Sequence, residues 1–182
     1  MRLGIVAFAL LVPSLAAARP FTAGVGIGQL DAEHDWDENA DDTLQLFGRL
    51  GVTSRVSGQL ELQKIDSSQN DVTVRTGTAL LVVELGQSGR LVPTMFAGLG
   101  IDRAEDPYGG SQEGNHIEGG FGLEYRVDGG LVLMADVRLG GRSVDNSDEV
   151  ILDSGANVVA LYAPLLIEGE YRSMRVGVGL RF

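Results

Sequence analysis

The chain has 182 residues, of which 26 are glycine and none is cysteine, and its 14 basic against 25 acidic side chains give a formal net charge of −11. A chain of this length is expected to form one domain, and the lack of cysteine excludes a disulfide scaffold, a thiolate metal site and a cysteine nucleophile. The acidic balance argues against a nucleic-acid partner, and the glycine content disfavours a helical bundle, because each interior glycine costs a helix about 1 kcal/mol relative to alanine.

Residues 1–18 have the pattern of a secretory signal peptide. Arg2 supplies a positive charge, residues 4–13 form a short apolar run, and Ala16 and Ala18 fit the small-residue pattern of a cleavage site. A transmembrane anchor is the alternative, but the apolar run is shorter than the roughly 20 residues that a spanning helix needs. We therefore expect cleavage after Ala18, which leaves residues 19–182 as a single domain.

Eight segments after the signal peptide alternate apolar residues with polar residues or glycines. In residues 115–127, for example, Ile117, Phe121 and Leu123 share one face, whereas Glu118 and Glu124 share the other. Successive side chains leave opposite faces of a strand, so this period of two predicts β-strands. The predicted strands are residues 21–30, 43–52, 56–64, 71–85, 91–103, 115–127, 131–139 and 171–182. Both faces of residues 71–85 are apolar near the end, and their orientation stays open.

The connections between these segments alternate in length. Residues 53–55, 86–90 and 128–130 are short turns, whereas residues 31–42, 66–70, 104–114 and 144–167 are mostly longer and acidic. This alternation predicts a closed, antiparallel, up-and-down barrel of eight strands that crosses a membrane, with the short turns and both chain ends on one side. The apolar faces of such a barrel, which include Leu133 and Val137, are expected to point to lipid.

The polar faces are predicted to line the inside of this barrel. They carry many glycines, which leave room for large side chains in a narrow lumen but would weaken strands on a solvent-exposed face. They also carry charges of both signs, as a buried network of arginine–carboxylate pairs requires. We expect Glu124 and Arg126 to find partners on the neighbouring strand, at Asp136 and Arg138. The charged residues on the polar faces are Arg49, Glu61, Glu118, Glu124, Arg126, Asp136, Arg138, Arg175 and Arg181.

The last segment carries a resemblance to a known family. Residues 174–182 read MRVGVGLRF, an alternating strand that ends in Phe182, and residues 120–126 read GFGLEYR. Both resemble the small eight-stranded bacterial outer-membrane barrels of the outer-membrane protein A and X type. The resemblance implies a monomer in the outer membrane, in contact with its lipids and lipopolysaccharide. It also implies recognition by the barrel-assembly machinery through the strand ending at Phe182, a structural or surface-interaction role, and neither enzymatic activity nor a cofactor.

Residues 31–42 contain a partial match to a calcium-binding loop. Asp35, Asp37, Asn39 and Asp41 alternate, but Ala40 stands where such a loop has its glycine, and the position of the bidentate glutamate is occupied by leucine. We therefore expect a solvated acidic loop and no metal site. Loose bridging of divalent cations to lipopolysaccharide phosphates remains the alternative.

Two other functions stay open at this stage. Ser111, His116 and Glu118 lie close in sequence, and an outer-membrane lipid-modifying enzyme would need a serine–histidine–acid set of this kind. No known motif surrounds them, so we expect His116, one of two histidines with His34, to be a hydrogen-bonded residue near the rim. A soluble periplasmic carrier of an apolar ligand, similar to the calycins, is the remaining alternative. The apolar part of residues 144–167 predicts either a hairpin above the barrel or longer seventh and eighth strands.

Overall fold

The computed structural model describes residues 20–31, 40–66, 72–86, 89–105, 111–144, 166 and 168–182. These residues form eight β-strands, and none of them lies in a helix long and apolar enough to cross a membrane. The strands are β1 (Phe21–Asp31), β2 (Asp41–Gly51), β3 (Val56–Asp66), β4 (Thr73–Glu84), β5 (Leu91–Glu105), β6 (Ser111–Arg126), β7 (Leu131–Val144) and β8 (Gly169–Arg181).

The eight strands form one closed barrel, which confirms the predicted fold. Each strand pairs antiparallel with the next in sequence, and β1 pairs with β8 to close the ring, for example at Val25 and Val178. The backbones of Phe21 and Phe182 extend this seam with two hydrogen bonds of 2.8 and 3.2 Å. The rings of Phe21 and Phe182 also stack, with centroids 6.4 Å apart. Closure satisfies the backbone groups of both edge strands.

The barrel has two different ends. The three short connections, Pro20 and Phe182 lie at one end, which we call the turn end. The strand ends that lead to the other four connections lie at the opposite end, which we call the loop end. In the turn between β2 and β3 the amide of Val52 donates to the carbonyl of Val56 over 2.7 Å. Between β6 and β7, Gly129 and Gly130 have φ angles of +88° and +87°, which favour glycine over any other residue.

The strands reach further towards the loop end than the sequence predicts. β5 continues to Glu105, β6 begins at Ser111 and β7 continues to Val144, so parts of the predicted loops at 104–114 and 144–167 are strand. Polar residues such as Arg103 and Glu113 face outward here. The apolar alternation therefore ends before the hydrogen-bonded ladder does.

Several predictions fall on residues that the structure does not describe. The signal peptide of residues 1–18 lies outside the described ranges, as do His34, Asp35, Asp37 and Asn39. Between β7 and β8 only Leu166 and Glu168 are described. The structure therefore shows that β7 extends to Val144 and that β8 begins at Gly169, whereas the predicted hairpin lies outside the described residues.

Candidate functional site

The barrel is apolar on its outside, and its inside is mostly polar. Leu133 and Val137 point outward with 45% and 47% of their surface exposed, whereas Arg138, next to Val137, points inward and is 2% exposed. The orientation of β4, left open by the sequence, is now assigned: Leu80 and Val82 are buried inside, and Leu81 is exposed outside. The other large apolar side chains on the outer surface include Val25, Ile27, Leu44, Leu46, Leu60, Leu62, Leu99, Ile101, Ile117, Phe121, Leu139, Met174, Val176 and Leu180.

A layer of charged side chains fills the middle of the lumen around Arg138. The two Nη atoms of Arg138 donate to the carboxylate of Glu61 at 2.9 and 2.8 Å, and its Nε donates to Asp136 at 2.8 Å. Arg138 also contacts Glu118, and its guanidinium lies 4.6 Å from the ring centroid of Phe96. Arg175 donates to Glu61 and to Asp136, each over 3.1 Å. The layer joins strands β3, β6, β7 and β8.

A second charged cluster lies nearer the turn end, and it corrects the predicted pairing. Glu124 pairs with Arg49 of β2, across the lumen from β6, and Arg126 pairs with Glu84 of β4 at 2.5 Å. Arg126 also lies 3.5 Å from Glu124. The prediction that Asp136 and Arg138 are the partners of Glu124 and Arg126 is therefore wrong. In so narrow a barrel an arginine side chain crosses the lumen, so its partner need not be on the adjacent strand.

A third cluster, nearer the loop end, surrounds His116. Its Nδ1 lies 3.0 Å from both carboxylate oxygens of Asp102, and its Nε2 lies 3.1 Å from the hydroxyl of Thr78. Arg142 donates to Asp102 over 2.8 Å, and the ring of Tyr171 meets the imidazole edge-on. All five side chains point inward and are buried. His116 thus has hydrogen-bond partners on both ring nitrogens.

The serine–histidine–acid set left open as an alternative is not assembled. Ser111 is exposed on the outward face of β6, whereas His116, an odd number of residues away, points inward. Glu118 points inward as well, but it contacts Arg138 and accepts a 3.1 Å hydrogen bond from the hydroxyl of Tyr171. The alternative of an active site at Ser111, His116 and Glu118 is therefore not supported, because the alternation of the strand separates the serine from the other two.

Side chains occupy much of the lumen in the described part of the barrel. The cavity beside Arg49, Glu124 and Arg138 has a volume of about 20 Å³, enough for about one water molecule. Towards the loop end, an apolar layer fills the lumen, and the amide of Leu166 within it donates to Gln112 over 2.9 Å. This layer consists of Leu30, Ile65, Val72, Val74, Ala104, Leu166 and Tyr171, with Val144 packed against it.

The partial calcium-binding loop contributes little that the structure describes. Only Asp41 of its four predicted acidic or amide residues lies in a described range. Among the described residues no group of three or more histidine, aspartate or glutamate side chains is placed to hold a metal ion. Asp102 and His116 are adjacent, but Arg142 occupies the carboxylate of Asp102.

A closed antiparallel barrel with an apolar exterior and a charged interior defines the fold class of the small outer-membrane barrels. Comparison with solved structures agrees. The chain is similar to Neisserial surface protein A, with a TM-score of 0.61 and 12% identity over 90% of this chain and 97% of that one. It is similar to a major outer membrane protein of Thermus thermophilus, with a TM-score of 0.59 and 14% identity over 91% and 100%. It is also similar to the N-terminal β-barrel domain of Pseudomonas aeruginosa OprF, with a TM-score of 0.56 and 16% identity over 88% and 97%. The sequence matches no protein-family model and no curated protein.

Proposed function

We propose that this chain is an integral β-barrel protein of the bacterial outer membrane, with a structural or surface-interaction role and no enzymatic activity. The observation that carries the proposal is the apolar outer surface, which includes Leu99, Phe121 and Val176 on three different strands. Exposed apolar side chains on every wall of a barrel are unfavourable in water, whereas buried charges fit a lumen that lipid surrounds. Export by the signal peptide of residues 1–18 belongs to the same proposal.

The proposal also includes the orientation and partners of the barrel. The turn end would face the periplasm and the loop end the exterior, as in other barrels with short periplasmic turns. The outer surface would contact membrane lipids and lipopolysaccharide, and a single chain suffices because β1 and β8 close the ring. The barrel-assembly machinery would recognise β8, whose outward row Val176, Val178 and Leu180 ends at the exposed ring of Phe182.

The two alternative functions have less support. A lipid-modifying enzyme needs an activated nucleophile at an accessible site, and the outward-facing Ser111 does not meet His116. Thr78 does lie beside His116, but both side chains are buried. A calycin-like carrier needs an apolar cavity, whereas the middle of this lumen is filled by Arg138, Arg175 and their carboxylates.

Cell fractionation tests the proposal directly. The full chain is expressed in a Gram-negative host, and the inner membrane, the outer membrane and the soluble periplasm are separated. We expect the mature protein in the outer membrane and resistant to extraction with alkaline carbonate. Recovery in the soluble periplasmic extract would reject the membrane barrel and favour the soluble, calycin-like carrier.

A further inference from the structure

Three basic side chains form a row on the outer surface near the loop end. Lys64 of β3 is paired in register with Arg75 of β4, and Arg75 is paired with Arg103 of β5. All three point outward, and their side chains are 49%, 65% and 56% exposed. We call these three residues the basic row. Like charges directly opposite each other on adjacent strands are unfavourable unless counter-charges are present.

Three carboxylates, Asp66, Glu105 and Glu113, provide that counter-charge and match the three basic groups in number. Lys64 lies 2.7 Å from Asp66, and Glu105 lies 3.3 Å from Arg75 and 3.1 Å from Arg103. Glu113 is 3.8 Å from Arg103. Asp66 and Glu105 stand two residues nearer the loop end than the basic row, away from the apolar surface. Ion pairs this exposed contribute little free energy, and each arginine keeps further N–H donors that a phosphate oxygen can accept from.

An apolar groove begins directly beneath the basic row. The positions two residues towards the turn end are Leu62, Gly77 and Ile101, which are also paired in register. A Cβ atom on Gly77 would stand 3.8 Å from Ile101 and 3.9 Å from Leu62, so the glycine leaves a gap between these side chains. The groove has a volume of about 540 Å³ and continues past Leu60, Ala79 and Leu99. We call it the Gly77 groove.

We propose that the basic row and the Gly77 groove form one binding site for an outer-leaflet lipid with an anionic phosphate monoester, with the phosphate on the basic row and an acyl chain in the groove. The order of the two features along the strands matches the order of headgroup and hydrocarbon in a bilayer. Arginine binds phosphate oxygens through paired, charge-assisted hydrogen bonds that are stronger than its bonds to exposed carboxylates. The inference rests on the proposed outer-membrane function and names a lipid partner for it.

The experiment compares lipid binding by refolded full-length mature protein in detergent, measured by native mass spectrometry. The probes are bisphosphorylated lipid A, phosphatidylcholine and inorganic phosphate. The double variant Arg75→Gln/Arg103→Gln removes two members of the basic row. Its control is Arg55→Gln/Arg90→Gln, which removes two exposed arginines from the turn end. Gly77→Val fills the groove, and its control is Gly58→Val, since a Cβ on Gly58 would meet nothing within 4 Å.

We expect lipid A to bind in preference to phosphatidylcholine, and Arg75→Gln/Arg103→Gln to weaken it about thirtyfold, or about 2 kcal/mol. Gly77→Val should also weaken lipid A binding, whereas both controls should leave it unchanged. Equal binding of lipid A and phosphatidylcholine, or equal loss in the two arginine pairs, overturns the site. If inorganic phosphate competes with lipid A and Gly77→Val has no effect, the basic row binds phosphate alone and the proposed lipid site is overturned. If the protein forms a dimer that Gly77→Val abolishes, the groove binds a second copy of the chain and the lipid site is likewise overturned.

The outer-membrane function and this lipid site fail in different ways. If the unchanged protein is recovered from the soluble periplasm, the outer-membrane function fails and the lipid site fails with it. If the protein is in the outer membrane and Arg75→Gln/Arg103→Gln binds lipid A as the unchanged protein does, only the lipid site fails.

Discussion

Arg138 and Glu61 join opposite walls of the barrel. Arg138 lies on β7 and Glu61 on β3, four strands away in either direction around the ring. Two hydrogen bonds, of 2.8 and 2.9 Å, connect the guanidinium to the carboxylate, and both residues are 2% exposed. Because Glu61 also accepts from Arg175, this one carboxylate holds two arginines in the middle of the lumen.

Glu61→Gln is therefore expected to destabilise the barrel strongly. The amide cannot neutralise either arginine, and loss of one partner from a buried ion pair costs about 3–5 kcal/mol. The matched control is Asp128→Asn, which removes the carboxylate from the exposed pair with Arg90 at the turn end and should leave stability nearly unchanged. Urea unfolding of the refolded protein in lipid vesicles gives both values. Equal effects of the two substitutions would show that the interior charges are solvated.

Neighbouring glycines on β7 offer a test of packing inside the lumen. A Cβ atom on Gly140, which points inward, would overlap the ring of Tyr171, whereas one on the outward-facing Gly141 would meet nothing within 4 Å. Gly140→Ala should displace Tyr171 from Glu118 and cost about 1–3 kcal/mol, the usual range for overpacking. Gly141→Ala should be neutral or slightly stabilising, because alanine suits a strand better than glycine does. Unfolding measurements on the two variants test this prediction. If Gly140→Ala is as stable as the unchanged protein, the close packing of Gly140 against Tyr171 is contradicted.

His116→Gln separates a structural histidine from a catalytic one. The substitution breaks the contacts of His116 with Asp102 and Thr78, so we expect a less stable barrel. We also expect mass spectra of lipid A from cells that express the unchanged protein to match those from cells that express His116→Gln or a control vector. A change in acylation that requires His116 supports the lipid-modifying enzyme instead.

A charged residue introduced on the outer surface should lower the free energy of unfolding by an amount that depends on its depth in the bilayer. Val137 lies at the middle of β7 and Ser143 near its loop end, and both point outward. In lipid vesicles Val137→Arg is expected to cost about 2–4 kcal/mol and Ser143→Arg about 0–1 kcal/mol. In water an arginine at either exposed position would be tolerated. Equal, small effects in equilibrium unfolding from vesicles contradict a lipid-facing Val137.

The sequence predicted the architecture well because alternation and loop length are local signals. The strand order and the closure follow from the alternation of short and long connections, and the inward direction of Arg49, Glu61 and Arg138 follows from a period of two. The inward-facing residues of β4, such as Thr78, could not be identified from the sequence, because Leu80 and Val82 make the inner face of this strand apolar as well. That inner face packs on Phe96, a contact that no local pattern reveals.

The contacts between side chains could not be predicted without the register of the strands. Sequence placed Glu124 on the polar face but not opposite Arg49, because a partner across the lumen is set by the shear of the whole barrel. The basic row is a further case: Lys64, Arg75 and Arg103 are far apart in sequence and adjacent only once β3, β4 and β5 are aligned. Ser111 is a different case: its proximity to His116 in sequence left a serine–histidine site open as an alternative, and strand alternation places the two side chains on opposite faces.

The central claim, that lipid surrounds the apolar outside of this barrel, is tested most directly at two adjacent residues of β8. Ser173 points inward and is 3% exposed, whereas Met174 points outward and is 49% exposed. The chain has no native thiol, so Ser173→Cys and Met174→Cys each give a single labelling site. Each variant is refolded into vesicles and treated with a thiol-reactive fluorophore. We expect Ser173→Cys to resist labelling, and the label on Met174→Cys to be quenched by brominated lipids but not by aqueous iodide. Quenching of Met174→Cys by iodide, with no effect of brominated lipids, would place the apolar face in water and contradict the membrane barrel.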